Sequence, residues 1–183
     1  MRIISGIYKS RKIVAPKNLP IRPTTDMAKE SLFNILNNLY YFDAVSVLDL
    51  FAGSGNISYE FASRGTESIT CVDEDFGCVK FINKTAESFK MPIQTIKSDV
   101  FKYLEKATLQ TNIIFADPPY SFSVEQFSKI PELVFNNNLL LEDGILIIEH
   151  SKHTDLSTIR NFSYSKNYGG NMFSFFEKAE TPS

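Results

Sequence analysis

Asp117-Pro118-Pro119-Tyr120 brings a carboxylate, two stiff residues and a flat ring together within four positions. It follows Ile113-Ile114-Phe115-Ala116, an apolar run that predicts a buried strand. Proline cannot donate to a sheet ladder, so the strand must stop there, and each proline also restricts the residue before it. The expected product is a rigid turn at a strand's carboxyl end, with free backbone carbonyls, an acceptor carboxylate and a stacking face. Those groups suit a planar base that carries an exocyclic amine. An isolated match this short is equally a proline-terminated strand with a solvent-exposed acid, so the weight falls on what accompanies it.

A second constellation is Asp49-Leu50-Phe51-Ala52-Gly53-Ser54-Gly55, after the apolar run Val45 to Leu50. Gly53 and Gly55 allow a tight turn and close approach of a ligand to the backbone. A dinucleotide-binding turn would carry a third glycine where Ser58 stands. Asp49, just before the turn, would repel a pyrophosphate and favour a cation such as an amino-acid ammonium. Asp73 ends the next strand-like run, 18 residues beyond Gly55, near the spacing at which an acid meets ribose hydroxyls. Glu74 and Asp75 adjoin it and leave the choice among the three open; acids here would also suit a helix start. Asp99 either accepts from an adenine amine or caps the helix that opens at Val100. Ile57 and Val100 offer apolar faces for that base. Ammonium, ribose and adenine together outline S-adenosylmethionine.

The elements that must position these groups alternate. Strands are predicted at Val45 to Leu50, Ile69 to Val72, Ile93 to Ile96, Ile113 to Ala116 and Ile145 to Ile148. Helical spacing lies between them, with the helix over Val124 to Phe135 open to a break at Pro131. Apolar strands alternating with helices predict a parallel sheet covered on both faces, with ligands beyond the strands' carboxyl ends. Before this array, Thr24-Thr25-Asp26 offers caps for a helix whose apolar face runs through Leu32, Ile35 and Leu36. A short β-hairpin fits residues 1–22, followed by a connector marked by Pro16, Pro20 and Pro23. At the other end, Tyr168-Gly169-Gly170-Asn171 reads as the turn of a second hairpin.

Bulk properties narrow the class. A chain of 183 residues with 43% hydrophobic and 22% charged side chains suits one globular domain. No stretch approaches the ~20 apolar residues that span a bilayer. Met1 to Gly6 lacks the apolar run of a signal peptide, and a cytoplasmic location is expected. Cys71 and Cys78, without a CxxC pattern, and two histidines predict no metal site and no disulfide framework. His150 and His153 read as surface residues, and Glu149 reads equally as a site-lining or a structural carboxylate. Residues 1–30 carry seven basic and two acidic side chains, a net +5, which leaves −7 for the rest of a chain whose total is −2. A basic arm on an acidic body points to a polyanionic partner or to a solvated N-terminus.

The chain resembles class I S-adenosylmethionine-dependent methyltransferases and, within them, the bacterial RsmD family. The resemblance covers nearly the full length. It rests on Arg2-Ile3-Ile4-Ser5-Gly6 with Arg11-Lys12, on Arg22-Pro23-Thr24-Thr25-Asp26 leading to Glu30 and Leu32-Phe33-Asn34-Ile35-Leu36, and on Asp49 to Gly55, Asp117 to Tyr120 and Tyr168-Gly169. Met27 and Ala28 depart from it, standing where the family often has arginine. The resemblance implies a Rossmann-like fold with a seven-stranded, mostly parallel sheet whose last strand is antiparallel. It implies methyl transfer to guanine N2 of small-subunit (16S) ribosomal RNA, of the guanine-966 type. Asp49, Phe51, Ala52, Gly53, Ser54 and Gly55 would surround the methionine moiety, Asp73 the ribose, and Asp99 with Val100 the adenine. Asp117, Pro118, Pro119 and Tyr120 would hold the base, with Phe122 extending their wall or serving the core.

Residues 1–22 would form an RNA-contacting arm on a methyltransferase domain of residues 23–183. Arg2, Lys9, Arg11, Lys12, Arg22, Thr24 and Thr25 would meet the RNA, as a monomer acting on ribosomal RNA or an assembling small subunit. The rival readings are an adenine-N6 or other nucleic-acid amino-methyltransferase, a nucleotide-dependent oxidoreductase, and a catalytically silent RNA-binding assembly factor.

Overall fold

Alternating side chains on the central strands fill two separate cores. Val47, Ile113, Phe115, Ile145 and Ile147 face one side of a sheet, while Leu48, Leu50, Ile114, Ala116, Leu146 and Ile148 face the other. Burial on both faces requires helices on both, which is how the chain folds. The computed structural model describes residues 1–22 and 24–180; Pro23, part of the expected connector, and residues 181–183 lie outside the described residues.

The strands are β1 (Ser46–Leu50), β2 (Ser68–Asp73), β3 (Ile93–Lys97), β4 (Thr111–Ala116), β5 (Leu140–Ser151), β6 (Phe162–Tyr168) and β7 (Asn171–Phe176). They form one seven-stranded sheet in the order β3-β2-β1-β4-β5-β7-β6. The first five are parallel, and β7 runs antiparallel between β5 and β6. This is the Rossmann-like arrangement expected from the sequence. The order reverses between β1 and β4, so the carboxyl ends of these two strands open the crevice where such sheets bind ligands.

The helices are α1 (Asp26–Leu39), α2 (Asn56–Ser63), α3 (Phe76–Phe89), α4 (Val100–Lys106) and α5 (Val124–Asn136). Thr25 caps α1 through its hydroxyl, which accepts from Ala28 N at 3.1 Å. α5 starts with a reciprocal capping box between Ser123 and Gln126 and runs on through Pro131 without a break. Buried Phe127, Ile130 and Val134 hold this helix to the second core, which outweighs the missing proline donor. β5 is also longer than the apolar run predicted, because Leu140 pairs with Thr111 ahead of a register shift.

The N-terminal hairpin is present in its smallest form, one antiparallel bridge between Arg2 and Lys12. It is fastened to α2 rather than left as a loose arm. Glu60, fully buried, accepts from Ile4 N at 2.8 Å and Ser5 N at 3.1 Å and pairs with Arg64 at 2.9 Å. Lys29, only 1% exposed, donates to the Arg2 carbonyl at 2.6 Å and to Asn56 Oδ1 at 2.8 Å. A buried lysine is tolerable because each polar contact replaces a lost water. Gly6 is needed here: a Cβ would fall 1.9 Å from the Ser63 carbonyl oxygen.

His150 corrects a sequence-based expectation. It is fully buried on β5 beside β7, with Nε2 2.7 Å from Ser174 Oγ and the ring edge-on to Phe127. His153 is exposed, as expected. Among the described residues no helix is long and apolar enough to cross a membrane.

Candidate active site

A cleft of about 1030 Å³ opens at the carboxyl ends of β1, β2, β3 and β4. Ligand sites usually measure ~300–1,000 Å³, so this one has room for a large cofactor together with part of a second ligand. Six carboxylates line it, from Asp49, Asp73, Glu74, Asp75, Asp99 and Asp117, against one cation, Arg22, among the described residues.

At one end the backbone turns between β1 and α2. Phe51 lies in the left-handed region with φ of 55°, a strained state for a residue with a Cβ, as is common at ligand sites. Its ring packs edge-on against Phe101 and Phe122, which stack on each other. Phe122 therefore belongs both to the cleft wall and to the core. Gly55 has φ of +85° and sits so near Tyr59 that a Cβ would lie 2.7 Å from that ring. Asp73 fixes the turn: its carboxylate accepts from Gly53 N at 2.9 Å and from Asp75 N at 2.9 Å. Asp75 caps α3 and Asp99 caps α4, while Glu74 is exposed. Capping and cleft-lining coexist at Asp99, since its Oδ1 alone meets the Lys102 amide. Ile57 and Val100 both line the cleft.

Asp49 is buried at the cleft floor, where Ser58, the residue in the third-glycine position, donates to it at 2.7 Å. Burial pushes the Asp49 carboxyl up to about 7, partly offset by the Ser58 hydrogen bond and reinforced by nearby Asp73. Burial likewise raises Asp73, against the two backbone donors that lower it. A cation brought into this end would relieve both.

The other end is assembled at the tip of β4. The side chain of Asp117 is 17% exposed and Pro118 is buried, whereas Pro119 and Tyr120 are exposed. Asp117 lies well above the usual carboxylate range, through burial first and then the neighbouring Glu149; Arg22 pulls it back down. Glu149, at the end of β5, accepts from Thr24 Oγ1 at 3.0 Å and from Asn171 Nδ2 at 3.0 Å. Asn171 in turn accepts from the Tyr120 hydroxyl at 2.8 Å. The chain Thr24–Glu149–Asn171–Tyr120 thus fixes the ring beside Asp117.

Several expected RNA contacts are placed elsewhere. Arg22 is turned inward: Nη2 donates to Asp117 Oδ1, and the guanidinium lies 3.4 Å from the Tyr120 ring centroid. Thr24 is buried on Glu149 and Thr25 caps α1, so both hydroxyls serve the fold. Arg2 pairs with Asp26 at 3.3 Å and remains half-exposed; Lys9, Arg11 and Lys12 are exposed. Tyr120 is outside the cleft lining, behind Arg22. Asn171 reads from the sequence only as a residue of the second hairpin's turn; it opens β7 and from there reaches Glu149 and Tyr120.

The donor set fits S-adenosylmethionine. A ligand with a sulfonium and an ammonium suits an acid-lined cleft, and the apolar Ile57 and Val100 faces suit its adenine. Fold and cleft together define a class I methyltransferase, and that class takes its methyl group from S-adenosylmethionine.

The family described as "Conserved hypothetical protein 95" matches residues 1–177, and the chain belongs to it; this is the RsmD family of methyltransferases. Among its relatives is the putative rRNA methyltransferase YlbH of Bacillus subtilis, 35% identical over 161 residues that cover 85% of each chain. Another is the ribosomal RNA small subunit methyltransferase D of Haemophilus influenzae, 29% identical over 91% of this chain and 86% of that one. The structure of the putative methyltransferase yhhF from Escherichia coli superposes with a TM-score of 0.84 at 27% identity, covering 97% of both chains.

Proposed function

We propose that this methyltransferase modifies the exocyclic N2 of a guanine in small-subunit ribosomal RNA, a base of the guanine-966 type. The observation that carries the reading is the joint placement of Asp117 and Pro118 at the inner end of an acid-lined cofactor cleft. Relatives named for methylation of small-subunit ribosomal RNA supply the substrate class.

In this reading Asp49 and the turn from Phe51 through Ala52, Gly53 and Ser54 to Gly55 hold the amino-acid end of the cofactor. Asp73 takes the ribose, and Asp99 takes the adenine amine above Val100. When bound, S-adenosylmethionine supplies an electrophilic methyl group on a positively charged sulfur. The guanine amine is a weak nucleophile because its lone pair is delocalised into the ring. Asp117 and the Pro118 carbonyl accept hydrogen bonds from its two N–H groups, which favours a pyramidal nitrogen with the lone pair free to attack. Pro119 stiffens the turn, and Tyr120 stacks on the base and fixes its angle. The new N–C bond forms as the S–C bond breaks, and the nitrogen must then lose a proton. A carboxylate raised by burial is a good acceptor for it, so Asp117 takes it up. Orientation provides most of the acceleration.

Residues 1–22 act as an RNA-contacting arm on the catalytic domain of residues 23–183. Arg2, Lys9, Arg11 and Lys12 meet phosphates, positioning RNA without reading its sequence. A target base within structured RNA is extruded before it enters. The enzyme works in the cytoplasm as a monomer, on free ribosomal RNA or on an assembling small subunit.

The test is transfer of radiolabelled methyl from S-adenosylmethionine to small subunits from cells lacking the gene, followed by nucleoside analysis. Labelled N2-methylguanosine is expected. Labelled N6-methyladenosine would replace guanine by adenine in this account. No transfer, with the cofactor still bound, would remove ribosomal RNA as the substrate.

A further inference from the structure

Arg22 occupies the place that the proposed function gives to the base. Its guanidinium lies against the Tyr120 ring, 3.4 Å from the centroid, and Nη2 donates to Asp117 Oδ1. Guanine would make the same two contacts, by stacking on the ring and donating to the carboxylate. The likeness is chemical as well as positional. The N1, C2, N2 and N3 atoms of guanine form a planar guanidine unit, with donors on N1 and N2. An arginine side chain ends in that same unit, fixed in a rigid fork. Adenine has no such unit, because the carbon that bears its amine is bonded to only two nitrogens. We propose that Arg22 is a built-in stand-in for guanine, which fills the target-base site of the free protein and must leave before the base can enter.

The surroundings explain why such a device is useful. Asp117 is poorly hydrated and stands near a second buried carboxylate, Glu149. Leaving it uncompensated would be unfavourable, and Arg22 neutralises it while the site is empty. Arg22 also covers the face of the Tyr120 ring that it lies against, so that face opens to the cleft only when the arginine moves. A free nucleoside offers Arg22 nothing in return for Asp117. A polynucleotide offers phosphates, which an arginine fork binds well. The connector that carries Arg22 follows directly on the basic N-terminal segment, so the same RNA backbone can engage both. Arg22 thereby makes entry depend on a base that arrives with phosphate attached, and excludes the cell's free guanosine. The inference rests on the guanine reading of the pocket and adds to it a competitor within the chain.

The test uses the full chain saturated with S-adenosylhomocysteine, so that no turnover occurs, and measures guanosine and adenosine binding by titration calorimetry. A site filled nine-tenths of the time by its own side chain binds a competitor about tenfold more weakly. Arg22→Ala should therefore bind guanosine at least about tenfold more tightly than the unaltered protein, with no gain for adenosine. Guanidinium chloride at millimolar concentration should compete with guanosine in that variant. Arg22→Lys keeps the charge but loses the planar fork, and should fall between the two. Bound S-adenosylhomocysteine in each variant serves as the check on folding.

Equal guanosine affinity in the unaltered protein and both variants would overturn the stand-in while leaving the guanine pocket intact. Weaker binding after either substitution would also overturn it, by making Arg22 part of the receptor. A gain for adenosine instead of guanosine would overturn both the stand-in and the guanine reading. Guanosine binding to none of the three proteins would do the same.

Discussion

At the cofactor end of the cleft, the hydrogen-bonded carboxylates answer to partners no more than twenty residues away in the chain. Asp99 accepts from an amide three residues on, Asp75 likewise, Asp49 from a hydroxyl nine residues away and Asp73 from an amide twenty away. At the target end the partners are remote. Asp117 meets Arg22 across 95 residues, Glu149 meets Thr24 across 125, and Tyr120 meets Asn171 across 51. The first end is therefore a set of turns and caps that form mostly within one strand and the helix after it, with Asp73 tying the turn after β1 to the end of β2. The second exists only after β4, β5 and β7 have found their register and the connector has closed over them. One end is built to receive the same cofactor each cycle. In the proposed function the other is a network whose members are exchanged, because a base entering from RNA would take the place of at least one of them.

If the two ends are separable, substitutions should split their effects. Asp117→Ala should have the largest consequence, lowering methyl transfer by about a thousandfold while cofactor affinity stays within about twofold. Single-turnover kinetics with a parallel binding titration would show this, and normal turnover would remove Asp117 from the mechanism. Asp73→Ala should do the reverse. It leaves the amides of Gly53 and Asp75 without their acceptor and removes the proposed ribose contact, and should weaken S-adenosylmethionine binding by about tenfold to a hundredfold. The rate at saturating cofactor should change little. Asn171→Ala frees the Tyr120 hydroxyl and one oxygen of Glu149. A fall of about tenfold in rate is expected, without loss of cofactor affinity, as befits a positioning residue. If Asn171→Ala weakened the cofactor instead, the two ends would be coupled and the comparison would fail.

The same division decided what could be read from the sequence. β1, β2 and β4 were legible because each is a largely apolar run, buried on both faces, that pairs in parallel with a similar run, whereas β3, a half-exposed edge strand, shows only in Ile93 and Ile96. The turn at Gly53 and Gly55 was legible because a left-handed backbone leaves few residue choices. The helix through Pro131 was less so: proline argues locally for a break, and the capping box and the second core override it. His150 reads as a surface residue until β7 pairs alongside β5 and brings Ser174 to its ring. Arg22 reads as one more cation of a basic segment, and no local pattern announces an acid 95 residues away. Residues whose partners lie nearby in the chain disclosed their geometry, while those whose partners arrive through strand register did not.

A smaller effect would sharpen the contrast from the cofactor side. Asp49 has its carboxyl raised to about 7 by burial, above its ordinary value of 3.8. Since the folded value exceeds the unfolded one, its contribution to stability is complete below the unfolded value and lost as pH rises through 7. The cofactor-free protein is therefore strained at neutral pH by a partly ionised acid at the cleft floor. An ammonium placed beside that acid favours its ionised form, so the value in the complex lies lower and binding releases a proton between the two. Affinity for S-adenosylmethionine should thus rise with pH until Asp49 is ionised in the free protein. Between pH 7 and pH 8 the ionised fraction goes from about one half to about nine-tenths, so the expected gain is about twofold. Titration calorimetry in buffers of different ionisation enthalpy would count the released proton directly. Asp49→Asn should abolish both the proton and the pH dependence. RNA affinity measured in the same range should follow this curve only weakly, because Asp49 reaches the other end only through a minor charge effect on Asp117; a parallel rise in RNA affinity would show that the two ends share one titrating network.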